Sequence, residues 1–214
     1  YEGLREMQKA LDLFNEVLEV RRIVGDRIGE AYALNCIGET YRDLGNQQKA
    51  LEHFNQALPI WREVGSPGQE AHILRVIGEA HRKLGEYDTA LDYLTQSLQL
   101  IQSMRDEYNE AGALLEIGNV ERERGNLLEA RAKIEAGLRI RESFRTGIAS
   151  PTWRSLYSFA SMQNAYEVYI DVLMRLHKQQ PTGGLNAMAF SASERGGGRT
   201  LLEMLTEARV DIRQ

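Results

Sequence analysis

Along the first two thirds of the chain, apolar residues recur at intervals of three and four. Ala50, Leu51, Phe54, Ala57, Leu58 and Trp61 make one such stripe. This is helical periodicity, not the alternation of a strand. The stripe also returns in phase every forty residues. Leu34, Leu74 and Leu114 hold one position; Ile37, Ile77 and Ile117 a second; Gly38, Gly78 and Gly118 a third; Ala50, Ala90 and Ala130 a fourth; Gly45, Gly85 and Gly125 a fifth. One period earlier, Ala10 precedes Ala50, Phe14 precedes Phe54, and Tyr1 falls where Tyr41 does, so the chain begins halfway through a unit. Each unit predicts two helices: first helices over roughly 28–43, 68–83 and 108–123, second helices over roughly 47–62, 87–102 and 127–142.

The punctuation agrees. Gly45, Gly85 and Gly125 stand between paired helices, where positive φ ends a helix. Asn46 and Asn126 are placed to cap the next start. Ser66-Pro67 and Ser150-Pro151 read as an N-cap followed by a first-turn proline. Gly38, Gly78 and Gly118 fall inside predicted helices, where glycine costs about 1 kcal/mol relative to alanine. A chain that accepts this three times is letting a neighbouring helix come close, with Ala50, Ala90 and Ala130 as the matching small face.

After Phe144 the phase is lost. The stretch from Thr152 to Gln179 has no Gly or Pro, and Leu156, Phe159, Met162, Tyr166, Tyr169, Leu173 and Leu176 continue a helical stripe. It predicts one long helix, or two with a kink near Asn164, that closes the array as repeat proteins require. Residues 179–184 (QQPTGG) read as a turn or linker, followed by helix broken at Gly196–Gly198.

The set Leu34, Ile37, Gly38, Tyr41, Leu44, Gly45, Ala50, Phe54 and Ala57 resembles the tetratricopeptide repeat (TPR). The second unit departs at His81 and Ser97, the third at Glu121 and Gly137, and Arg62 replaces the usual proline. The usual period is about 34 residues, so forty implies about six more per unit. A forty-residue period also fits propeller or HEAT repeats; helical spacing rejects the first and the Gly/Ala signature the second. The resemblance covers residues 1–144 and implies an all-α, TPR-type right-handed superhelical solenoid of antiparallel helix pairs. The array comprises a half repeat and units 25–64, 65–104 and 105–144. A degenerate capping helix or helix pair over 145–180 follows, then a linker and helix over 181–214. The segments YEVYIDVLMRLHKQQP and AFSASERGGGRTLLEML resemble the junction of bacterial proteins that join such repeats to a CHAT domain, a caspase-like peptidase module. That resemblance implies a downstream domain beyond Gln214, which would carry the peptidase His and Cys.

Composition narrows the function classes. The 214 residues are 43% hydrophobic and 27% charged with a net charge of −5, so a basic nucleic-acid-binding face is not expected. No apolar run approaches membrane-spanning length, and no signal segment opens the chain. The single Cys36 forms no intramolecular disulfide and fits a reducing, cytoplasmic compartment. Set in an apolar helix, it reads as a packing residue. His53, His72, His81 and His177 lack metal-site spacing, so no metal or cofactor is expected. Glu121 and Glu123 read as a solvated helix face. Gly196–Gly198 before Arg199 lacks a phosphate-loop context, and Trp61 and Trp153 read as packing residues.

In the resembled family, residues around the internal glycine line the concave surface. By phase these are Tyr32, Asn35, Glu39 and Arg42; then His72, Arg75, Glu79 and Arg82; then Leu115, Asn119 and Arg122. The in-phase arginines Arg42, Arg82 and Arg122 suit carboxylates, and Asn35 and Asn119 suit a ligand's peptide backbone. Alternating Arg and Glu points to a mixed-charge peptide or protein partner. The expectation is a non-catalytic interaction scaffold, the regulatory or substrate-recruiting part of a TPR–CHAT peptidase. The alternatives are a self-association or intramolecular packing module, and an enzyme within these residues.

Overall fold

The computed structural model describes residues 2–147, 151–181 and 183–196, without the side chains of residues 2, 145–147 and 151–161. Every regular element among them is an α-helix: α1 (Glu2–Val24), α2 (Arg27–Asp43), α3 (Gln47–Glu63), α4 (Pro67–Lys83), α5 (Tyr87–Ser103), α6 (Glu107–Arg124), α7 (Leu127–Gly147), α8 (Pro151–Gln179) and α9 (Leu185–Gly196). Apolar spacing thus places the paired helices to within a residue or two, except that α7 runs on to Gly147. Residues 151–179 form one helix that continues through Asn164. Expectations for Ser150, Trp153, Leu156, Phe159, Gly197, Gly198, Arg199 and the helix after them lie outside the described residues and side chains.

The chain divides into two compact units: Tyr1–Asp106, holding α1 to α5, and the stretch from Glu107 onward. In the first unit, α2 packs on α3 and α4 on α5 as antiparallel pairs around one core that includes Leu34, Ile37, Phe54, Trp61, Leu74 and Ile77. In the second, α6 pairs with α7 and α8 with α9. Here Ala130, Ile134 and Leu138 of α7 meet Tyr166, Tyr169 and Leu173 of α8 and Ala189 of α9.

The internal glycines do what the sequence predicts. A Cβ on Gly38 would sit 2.5 Å from the Phe54 ring, one on Gly78 2.7 Å from Leu94 Cγ, and one on Gly118 2.6 Å from Ile134 Cγ1. For Gly78 and Gly118 the carbonyls of Ala90 and Ala130 also lie at 3.1 Å, so backbone meets backbone through the small-residue face. The departure Gly137 has the same cause, since its Cβ would lie 2.9 Å from the Ala111 carbonyl.

Turns fall on a twenty-residue beat. Gly25, Gly45, Gly65, Gly85 and Gly125 all have positive φ, and the beat between the last two lands on Arg105, at φ 55. Asp26 and Asn46 cap α2 and α3 by accepting from the backbone N–H of Gly29 and Lys49. Ser66 departs from expectation: it holds the N-cap position, but its hydroxyl makes no cap bond, and Pro67 alone starts α4. No described helix is long and apolar enough to cross a membrane.

Candidate functional site

The first-helix residues of the first unit come together on adjacent α2 and α4. Side chains bridge the two helices directly. Gln69 Nε2 donates to the Tyr32 hydroxyl at 3.3 Å, and His72 Nε2 lies 3.2 Å from Glu39 Oε1. Arg75 Nη2 lies 3.4 Å from His72 Nδ1. A guanidinium has no acceptor, so Nδ1 accepts and the imidazole proton sits on Nε2, donated to Glu39. The ring is therefore neutral. Burial, then the Arg75 charge, push its pKa below the ordinary value against the pull of Glu39. Arg75–His72–Glu39 is thus a relay across the wall between a cation and an anion.

Around the relay, Tyr32 is exposed and stands edge-on to Trp61, ring centroids 4.8 Å apart. Arg42 donates to Asp43 from Nε and Nη2 at 3.2 and 3.1 Å. Glu79 pairs with Lys83 at 3.5 Å, and Arg82 is half-buried on the same helix. Asn35 does not stand on this wall. It is buried: its Nδ2 donates to the Ala31 carbonyl at 3.1 Å and its Oδ1 accepts from the Trp61 indole at 3.2 Å. The Trp61 bond ties it into the α2–α3 pair, away from the wall.

In the second unit, Arg122 is tied down within the chain. It donates to Asn119 Oδ1 and to Asp171 Oδ2 of α8, both at 3.1 Å. Leu115 is partly buried against the core, its Cγ 2.8 Å from where a Cβ on Gly137 would lie. Leu115 and Asn119 still line an open cavity of about 300 Å³ with Glu116 of α6 and Asn164, Ala165 and Val168 of α8. Glu121 corrects the expectation of a solvated face: it is buried, and its Oε2 has no hydrogen-bond partner. Its phase-mates Tyr41 and His81 stack on rings of their paired helices, so this position faces into the pair in every unit.

A second cavity of the same unit was not signalled by the repeat. It has a volume of about 390 Å³ and lies among α7, α8 and α9. Two acid–phenol pairs line it: Tyr169 donates to Glu135 at 2.6 Å, and Tyr166 donates to Glu142. Burial alone would raise the Glu135 carboxyl; hydrogen bonds from Tyr169 and Arg131 override it and hold the group below its usual range. Burial and the Glu135 carboxylate push the Tyr169 phenol well above its ordinary value. Tyr166 and Tyr169 are one turn apart and Glu135 and Glu142 two turns apart; only the α7–α8 packing reveals that they meet.

For catalysis and metals the residues offer little. Burial and the Glu39 charge push the Cys36 thiol up, away from a nucleophilic thiolate. Among the described residues no cluster of three His, Cys, Asp or Glu could hold a metal ion.

A profile of the family described as tetratricopeptide repeat matches residues 1–63, 29–103 and 69–143. No curated protein matches the sequence. Among solved structures, BtubC (BKLC) from P. vanneervenii is similar with a TM-score of 0.72 and 18% identity, over 100% of this chain and 79% of that one. Aspartyl phosphate phosphatase F from Bacillus subtilis is similar with a TM-score of 0.72 and 14% identity, over 96% of this chain and 52% of that one. A Rap protein complexed with competence and sporulation factor gives 0.65 and 16%, over 91% of this chain and 51% of that one. At these identities the likeness is one of fold.

Proposed function

The chain belongs to the tetratricopeptide repeat family, with the all-α helix pairs of that solenoid class, and from that premise we propose that it is a non-catalytic scaffold for a peptide or protein partner. The observation that carries the reading is the bridged surface of α2 and α4, where Gln69 meets Tyr32 and His72 joins Glu39 to Arg75; Glu79 and Arg82, farther along α4, are proposed to extend it. Its charges alternate, and half-buried polar groups already ordered by one another lose little freedom on binding. A mixed-charge partner suits it. Leu115, Asn119 and Arg122 are the corresponding contacts proposed in the second unit. The Rap neighbour, solved with competence and sporulation factor, supports reading such helix pairs as a partner-binding surface.

We also propose that this scaffold regulates or feeds a caspase-like CHAT peptidase in a bacterial cytoplasm. This part rests on the similarity of residues 166–181 and 189–205 to such junctions. The coding sequence after Gln214 tests it: a His and a Cys in caspase-like context support it, and an unrelated continuation removes it.

The test of the wall is Arg75→Glu with Arg82→Glu, with circular dichroism confirming the fold. A peptide array read with both proteins should show wild-type ligands lost at an unchanged mass in light scattering. Binding that survives reversal overturns the wall, and a change of mass without loss of binding turns the reading to self-association.

A further inference from the structure

The cleft of about 390 Å³ among α7, α8 and α9 is walled by balanced charges that the repeat plan does not require. On α7, Glu135, Arg139 and Glu142 follow one another at four and three residues, and all three line it. On α5 the same phases hold Thr95, Gln99 and Gln102, none of them charged. Arg195 of α9 adds a second cation, so the lining carries two carboxylates and two guanidiniums. Beside the charges the lining is apolar or aromatic, with Leu138, Met188, Ala192 and the rings of Tyr166 and Tyr169.

These charges are only half engaged with one another. Glu135 accepts from Tyr169 and Arg131 on Oε1 alone. Glu142 accepts from Tyr166 on Oε1, and Arg195 stands 3.6 Å from that same oxygen. Among the described residues no hydrogen bond reaches Oε2 of either acid. Arg139 acts on Glu135 through its charge and has no hydrogen-bond or ion-pair partner among the described residues. A cleft of this size stands at the small end of ligand sites. A lone anion in it would face two carboxylates, and a lone cation two guanidiniums. A small molecule that carries both charges on an apolar body meets every part of the lining. Helix residues three or four apart have Cβ atoms about 5–6 Å apart, within reach of two groups borne on a single carbon. We propose that the cleft binds a free α-amino acid with an apolar side chain, its carboxylate on Arg139, its ammonium on the open oxygen of Glu142 and its side chain against Leu138 and Met188. The proposal does not draw on the wall of α2 and α4, which belongs to the other unit.

The test is isothermal titration calorimetry on the whole 214-residue chain, with L-leucine, L-methionine and L-phenylalanine as probes. At least one of the three should bind saturably at a single site. Its N-acetyl and amide derivatives should each bind at least about tenfold more weakly, equivalent to about 1.4 kcal/mol. Arg139→Gln, a change at an exposed side chain that leaves the fold intact by circular dichroism, should weaken the amino acid as much and make it bind no better than its amide. Glu142→Gln keeps an acceptor for Tyr166 and should make the amino acid bind no better than its N-acetyl form. Loosened packing would not match each variant to one lost group of the ligand. Absence of binding by all three probes overturns the proposal, as does binding indifferent to Arg139→Gln. An amide as tight as the free acid also overturns it, by giving the cleft to a peptide N-terminus, and so does an N-acetyl form as tight, by giving it to a carboxylate alone.

Discussion

The α2–α3 and α4–α5 pairs of the first unit and the α6–α7 pair of the second share a backbone plan and part company at a pair of facing positions. In the first unit each pair stacks two rings there. Tyr41 lies on His53 with centroids 5.5 Å apart and planes at 12°, and His81 lies on Tyr93 at 5.5 Å and 5°. The residues have changed places between the helices and the stack is kept. In α6–α7 the same phase holds Glu121 and Lys133. Glu121 is buried with one oxygen unpartnered, while Lys133 turns along its own helix to Glu129 at 3.3 Å. The close approach set by the glycines is common to all three pairs. What fills the space beside it is free to vary, and it decides how well each pair is held.

The largest effects should come from testing the common part. Two glycines of α6 should respond in opposite ways to the same substitution. Gly118→Ala puts a methyl 3.1 Å from the Ala130 carbonyl and 3.2 Å from Ile134 N, both backbone atoms that cannot swing aside. It should destabilise by about 1–3 kcal/mol, as overpacking does. Gly112→Ala meets nothing within 4 Å and should stabilise by about 1 kcal/mol through helix propensity. Thermal unfolding of the two variants reads the signs. If both fall, or both rise, the glycine contact is not what sets the spacing of the pair.

A smaller effect sharpens the difference between the pairs. Glu121→Met replaces a buried carboxylate by an apolar chain of similar length. Removing an incompletely partnered charge from an interior is neutral to stabilising, and about 1 kcal/mol of gain is expected here. The equivalent change at a ring, Tyr41→Met, should lose stability because it breaks a stack worth about 0.5–1.5 kcal/mol. A loss at Glu121 matching that at Tyr41 would show that the carboxylate is as well held as the rings.

These differences also mark what the sequence made legible. The helices, their turns and the glycine approach follow from residues that repeat, so periodicity alone finds them. Asn35 is in phase with Arg75 of the wall yet is buried, because Trp61 offers it a partner, and Glu121 takes the position of the Tyr41 and His81 rings yet is buried more deeply than they are, because the α6–α7 pair encloses it. Neither cause is visible along the sequence. Arg122 is caught by Asp171, forty-nine residues on in a helix with no repeat phase to extrapolate. The acid–phenol pairs of α7 and α8 escape for the same reason. Periodicity thus locates the faces, and side chains from the aperiodic end decide which of them stay open.

The smallest effect compares the units through their protons. Each unit has a carboxylate that hydrogen bonds hold below its ordinary pKa against desolvation: the buried Glu30, bonded by Arg22 and Arg27, and the part-buried Glu135, bonded by Tyr169 and Arg131. Both lose their contribution only as pH falls below 4.5, the ordinary value. The lowered histidines, His53 and His72, both belong to the first unit. Burial leads in each case, opposed by Glu52 for His53 and by Glu39 for His72, and reinforced by Arg22 and Lys49 for the first and Arg75 and Arg42 for the second. With folded values under the ordinary 6.5, the unfolded chain binds protons just below that pH that the folded chain refuses. Stability therefore falls as pH drops through 6.5, and the loss stops growing once the folded values are passed. Protonated His72 would also turn an N–H toward the Arg75 guanidinium, so the relay itself opens. Amide protection factors, taken against the intrinsic exchange rate at each pH, should fall in α2 to α5 between pH 7 and 5 with little change in α6 to α8. His72→Gln together with His53→Gln should remove that dependence. Equal loss of protection in both units, or its persistence in the double variant, would assign the acid sensitivity to groups other than these two rings.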